Sequence, residues 1–124
     1  MVQEKREINI KEVIKGVLSF IRSGHISANQ GLLHRAFKRL RTFSLLRGLV
    51  FGESGFSEKL EGVFDCLLVS GIVCYEGLNG QKFAIRNDVL KEIRRDLPKY
   101  FTADEIVQLS FIAERLEEMI AVEE

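Results

Sequence analysis

The sequence predicts an α+β chain, mostly α, carrying one small antiparallel sheet. Three observations carry that expectation. Ser57 is followed by Leu60, Val63, Phe64, Leu67 and Leu68, the spacing of one buried helical face, and Gly71 follows as a left-handed stop. Ile72-Val73-Cys74-Tyr75 and Lys82-Phe83-Ala84-Ile85 then flank the turn Gly77-Leu78-Asn79-Gly80, which reads as a β-hairpin. Two more helical stretches close the chain, at about 88–97 and 103–122.

Each element has its own local cause. Asn9 is suited to cap a first helix over about 10–22, whose apolar stripe is Val13, Ile14, Val17, Leu18 and Ile21. Gly16 inside it costs about 1 kcal/mol against alanine unless close packing uses the missing side chain. Ser23-Gly24 ends this helix, and His25 falls in the turn that follows. Ser27-Ala28-Asn29-Gln30 has the capping-box pattern, with Ser27 as the cap of a second helix over about 28–41. Its core face is Leu32, Leu33, Ala36, Phe37 and Leu40.

From 42 to 56 the signals are weakest. Residues 44–47 read as a short helical turn and Leu49-Val50-Phe51 as a short strand that joins the sheet. Beyond the hairpin, Asn87 caps the next helix and Pro98 stops it. Thr102-Ala103-Asp104-Glu105 is a second capping box, opening the last helix. There Ile106, Leu109, Ala113, Leu116 and Ile120 repeat every 3.5 residues, and Val107, Phe111, Ile112 and Met119 widen the arc. Such a stripe must dock on its own domain or on a partner, so it is the candidate dimer or docking face.

A helix, a glycine and a two-stranded ribbon form the second half of a winged helix-turn-helix. The expected core is about 10–86, within a single domain spanning 1–124. No repeat, linker or low-complexity tract divides it. Hydrophobic residues at 46% and charged residues at 29% exclude a disordered composition. No apolar run approaches the ~18 to 20 residues that a membrane span needs. The charged start Met1-Val2-Gln3-Glu4-Lys5-Arg6-Glu7 lacks the apolar stretch of a signal peptide, so a cytoplasmic protein without membrane contact is expected. Two cysteines, Cys66 and Cys74, agree with a reducing compartment and are expected to serve as small hydrophobes.

The search for chemistry excludes more than it finds. His25, His34, Cys66 and Cys74 show no zinc-ligand spacing, no nucleophile motif occurs, and no phosphate loop is present. The expectation is therefore no enzyme, no metal and no cofactor; no small-molecule substrate is identified, and a small-ligand sensor with a pocket between the long helix and the wing sheet rests on shape alone.

Charge is more informative. The net charge is zero, yet residues 1–50 hold ten Lys/Arg against three Glu (+7), and residues 51–124 hold eight against fifteen acids (−7). The basic cluster is His34, Lys38 and Arg41 on one line of the second helix, with Arg35 and Arg39 beside it and Arg47 beyond. With Lys82 on the hairpin, these are the candidate surface for nucleic acid or an acidic partner. The helix before the hairpin exposes Glu58, Lys59, Glu61 and Asp65, the wrong sign for major-groove docking against phosphates.

Leu33-His34-Arg35-Ala36-Phe37, Leu49-Val50-Phe51, Ser57-Glu58-Lys59-Leu60 and Val69-Ser70-Gly71-Ile72 together resemble the winged-helix proteins of the SocA-type antitoxin (Panacea) and YwgA-like group, over about 10–86. Ser54-Gly55-Phe56 stands where that group carries Tyr-Gly-Pro. The resemblance implies a regulatory or adaptor module that acts by protein contact, and it carries over no catalytic residue. The sequence thus points to a protein-binding regulatory module, able to form a homodimer, with DNA binding through the basic second helix as the alternative.

Overall fold

The computed structural model describes residues 9–120. Their elements run α1 (Ile10–Ser19), β1 (His25–Ser27), α2 (Gln30–Arg39), α3 (Glu58–Val69), β2 (Val73–Glu76), β3 (Lys82–Ile85), α4 (Asn87–Tyr100) and α5 (Ala103–Ile120). Between α2 and α3 lie two short 3-10 turns, Leu40–Thr42 and Ser44–Leu46. The architecture is α+β and mostly helical, with one three-stranded antiparallel sheet ordered β1-β3-β2.

Local chemistry sets most element ends. The Asn9 side chain accepts from the backbone of Lys11 at 2.9 Å and so caps α1. Ser57 Oγ accepts from Leu60 N at 3.2 Å and caps α3. At the other end of α3, Ile72 N donates to Leu67 O at 3.0 Å and Gly71 N to Leu68 O at 3.2 Å, with Gly71 at φ +79°. That pair of bonds is a Schellman motif, which needs a residue free to turn left-handed. Thr102 and Glu105 exchange the two bonds of a capping box, at 2.8 and 3.2 Å, and start α5.

Several expectations change. The third strand is His25–Ser27, not 49–51: Ile26 pairs with Phe83 across the sheet and is fully enclosed. Leu49 instead closes a turn onto Leu46 O and drops into the core, while Val50 is exposed. His25 therefore sits in a strand rather than a turn, with Nδ1 3.0 Å from Ser23 O and Nε2 3.4 Å from Glu76. Because Ser27 is held in that strand, the cap of α2 passes to Asn29, whose side chain accepts from Leu32 N at 3.1 Å. Helix α1 stops at Ser19, whose hydroxyl turns back to Gly16 O and whose carbonyl accepts from Arg94. Helix α4 runs through Pro98 to Tyr100, because a proline in the last turn removes one N–H without blocking the final bond from Phe101 to Leu97 O. Both cysteines are exposed and act as neither core nor cross-link.

One apolar cluster joins all the helices to the inner face of the sheet. Helix α5 packs on α1 and α2, and the side-chain Oε1 of its Gln108 accepts from Leu45 N at 3.0 Å, which pins the 3-10 segment to it. Leu109, Ala113 and Leu116 are fully buried in this cluster, Ile120 is nearly so, and Ile106 packs against its edge. Of the two expected fates of the candidate dimer or docking stripe, its own domain or a partner, the structure has it docked on its own domain. Its occupant is α1 and α2, and it is not free for a second copy. The large apolar side chains that α5 leaves exposed are Val107, Phe111 and Met119. The final expected turn of this helix, 121–122, and the charged start 1–7 lie outside the described residues. No helix among the described residues is long and apolar enough to cross a membrane.

Candidate functional site: the basic face of α2 and its cleft

The outer face of α2 presents Arg35, Lys38 and Arg39, and the turns after it present Arg41 and Arg47; all five are exposed. Among the described residues no carboxylate lies within ion-pair distance of any of them. Lys38 and Arg39 also fall in the last turn of α2, where the helix dipole favours cations. The next helix has the opposite sign. Glu58, Glu61 and Asp65 are exposed along α3, with Lys59 the single base beside them. Lys82 does not join the basic face. It sits half-buried on β3, in register with Ser27 on one side and Glu76 on the other.

His34 is the main correction. The helical spacing places it on the exposed basic line, but it is buried, at 3% exposure. The Phe56 ring stacks on it at 4.5 Å, and Phe51 meets it edge-on at 6.5 Å. Its Nδ1 accepts the backbone N–H of Ser57 at 3.0 Å, so that nitrogen carries no proton. The ring is the neutral tautomer with hydrogen on Nε2, and Nε2 is buried without a hydrogen-bond partner among the described residues. Burial pushes the His34 imidazole below the usual histidine range, and the Glu61 carboxylate opposes that push in part.

These two features meet. A cleft of about 380 Å³ runs between α2 and the loop 52–56, lined by Gln30, His34, Arg35 and Lys38 on one side and Glu53, Ser54 and Phe56 on the other. Arg41 leans on the same aromatic group, its guanidinium 6.0 Å from the Phe51 ring centre. Sequence spacing found the cations but not the cleft. The only signal for it was the pair of phenylalanines flanking Gly52 and Gly55. No cluster of three or more metal-ligating side chains occurs among the described residues. No protein family, curated protein or solved structure matches this chain.

Proposed function

We propose that this chain is a winged helix-turn-helix module of one domain that works without catalysis, as a cytoplasmic regulator or adaptor acting through protein contacts. The order α1-β1-α2-α3-β2-β3 and the sheet order β1-β3-β2 support the winged-helix reading. The observation that carries the functional reading is the charge of neighbouring helices. Five exposed cations, none with a carboxylate at ion-pair distance among the described residues, line α2 and its turns, while the helix expected to enter a groove shows three carboxylates. An acidic protein surface satisfies the cations at no cost to α3, whereas a duplex docked on α3 would meet like charge. With the α5 stripe occupied inside the chain, a homodimer would use another surface.

The second reading is duplex DNA held by the α2 face, favoured by the same density of exposed cations. One experiment separates them. Purified protein is titrated with random-sequence duplex at low and moderate salt, beside the variant Arg35→Ala with Arg39→Ala. Tight binding with a steep salt slope that drops by roughly two in the variant supports DNA and sinks the protein-contact reading. Absence of duplex binding at both salts, with partner capture lost in the charge-reversed Arg35→Glu, Arg39→Glu protein, supports the adaptor.

A further inference from the structure

The cleft beside His34 shares Arg35 and Lys38 with the basic face, but its buried imidazole, amide and phenyl ring are not used by the protein-contact reading. Its floor includes a buried imidazole whose Nε2–H has no partner among the described residues. A buried donor left unpaired is unfavourable, and an anionic oxygen is the strongest acceptor that could meet it. The rim carries Arg35 and Lys38 one helical turn apart, and Gln30 adds an amide at the start of the same helix. The opposite rim offers Phe56, 39% exposed, beside a single carboxylate, Glu53.

We propose that this cleft is a binding site for a phosphate monoester, with Arg35 and Lys38 holding the phosphate, His34 Nε2–H and the Gln30 amide donating to its oxygens, and Phe56 covering the ester's organic part. A phosphate monoester carries close to two negative charges and three acceptor oxygens, matching two cations and several neutral donors. A carboxylate has fewer oxygens than the site has donors. Glu53 leaves the rim with a net single positive charge and stands on the side opposite Arg35 and Lys38. Nε2 is covered in the structure and its N–H points outward in the plane of the imidazole, so a ligand oxygen reaches it only when the atoms at that ring edge give way. The loop that carries Phe56 includes Gly55 at φ +82° and closes on itself through Gly55 N to Gly52 O. The site shares Arg35 and Lys38 with the basic face, but a small ester needs no macromolecular partner, so its binding is read separately from the adaptor reading.

The test is an NMR titration of the full chain with phenyl phosphate, with benzoate as the carboxylate control. The expected result is saturable shifts confined to Gln30, Gly31, the His34 ring and residues 53–56, with benzoate binding at least tenfold more weakly. Arg35→Ala with Lys38→Ala, both exposed, should weaken phenyl phosphate roughly tenfold or more while the remaining spectrum stays folded. His34→Phe keeps the ring stack and should weaken it too. A phosphoserine peptide bound more tightly than phenyl phosphate identifies a protein-borne ester, and equal affinity identifies a small molecule; either keeps the site. Shifts that rise linearly with concentration at all surface cations, equal binding of benzoate, or no shift at the His34 ring would overturn it.

Discussion

The backbone N–H of Ser57 donates to Nδ1 of His34 across 3.0 Å, and both residues are buried. The bond links the middle of α2 to the first residue before α3, so the angle between a basic and an acidic helix hangs partly on one imidazole. It also fixes the ring's protonation. A hydrogen on Nδ1 would face the Ser57 N–H and break the link.

The pH dependence follows from that geometry. The folded pKa of His34 is lowered by desolvation, so between the folded value and the unfolded value near 6.5 the unfolded chain binds more protons. Stability is therefore fully present above the unfolded pKa and declines as pH falls through about 6.5 towards the folded value. Thermal melts over this window should show Tm falling on acidification, with a smaller slope in His34→Gln. An equal slope in the two proteins would assign the dependence elsewhere.

Ser57 does two jobs, and the second has its own signature. Its hydroxyl caps α3 through Leu60 N, so Ser57→Ala should cost about 1 kcal/mol, rising towards 2 because the site is dry. Ser57→Asp keeps an acceptor but places a charge in that dry site, and should be no better than alanine. Urea midpoints at constant m-value measure both. A neutral alanine variant would mean that the cap contributes nothing to the fold.

Elements written by near neighbours were legible, and those written by distant ones were not. The cap at Ser57, the stop at Gly71 and the box at Thr102–Glu105 each depend on residues within one turn, and sequence spacing located them. Strand β1 has one apolar residue, Ile26, between His25 and Ser27, and it becomes a strand only because Phe83 and its neighbours come to pair with it. That pairing in turn moved the α2 cap from Ser27 to Asn29. His34 has the helical phase of a surface residue, and only the return of Phe51 and Phe56 over it makes it buried. The α5 stripe was legible as a docking face. Its partner, α1 and α2 of the same chain, was not, since amphipathic spacing says what must be covered and not by what.

Two glycines in helices should respond to alanine in opposite directions. A Cβ at Gly16 would stand 2.7 Å from Leu109 Cδ1 and 3.2 Å from Leu97 Cδ2, inside the contact of α1 with α5 and α4. Leu109 is fully buried, so its methyl can shift only within a packed core, and overpacking of up to about 3 kcal/mol outweighs a helix-propensity gain of about 1. Gly62, exposed on α3, has nothing within 4 Å of the added carbon, and Gly62→Ala should stabilise by roughly 0.5 to 1 kcal/mol. If Gly16→Ala also stabilised in urea melts, the close helix contact would be wrong.

The apolar arc of α5 divides into a half that holds the fold and a half that does not. Leu116 is completely enclosed, so Leu116→Ala should cost about 2 to 5 kcal/mol, with the spread set by how far the cavity collapses. Phe111 is 53% exposed on the same helix, and Phe111→Ser should stay within about 0.5 to 1 kcal/mol of the parent. A dimer seam on the stripe would make a different prediction: Leu116→Ala would lower the association state in sedimentation while leaving a folded monomer. The buried position requires the reverse, with urea stability falling sharply and the sedimentation coefficient of the folded fraction unchanged. Measured together, the two variants decide whether this helix is the spine of one chain or half of an interface.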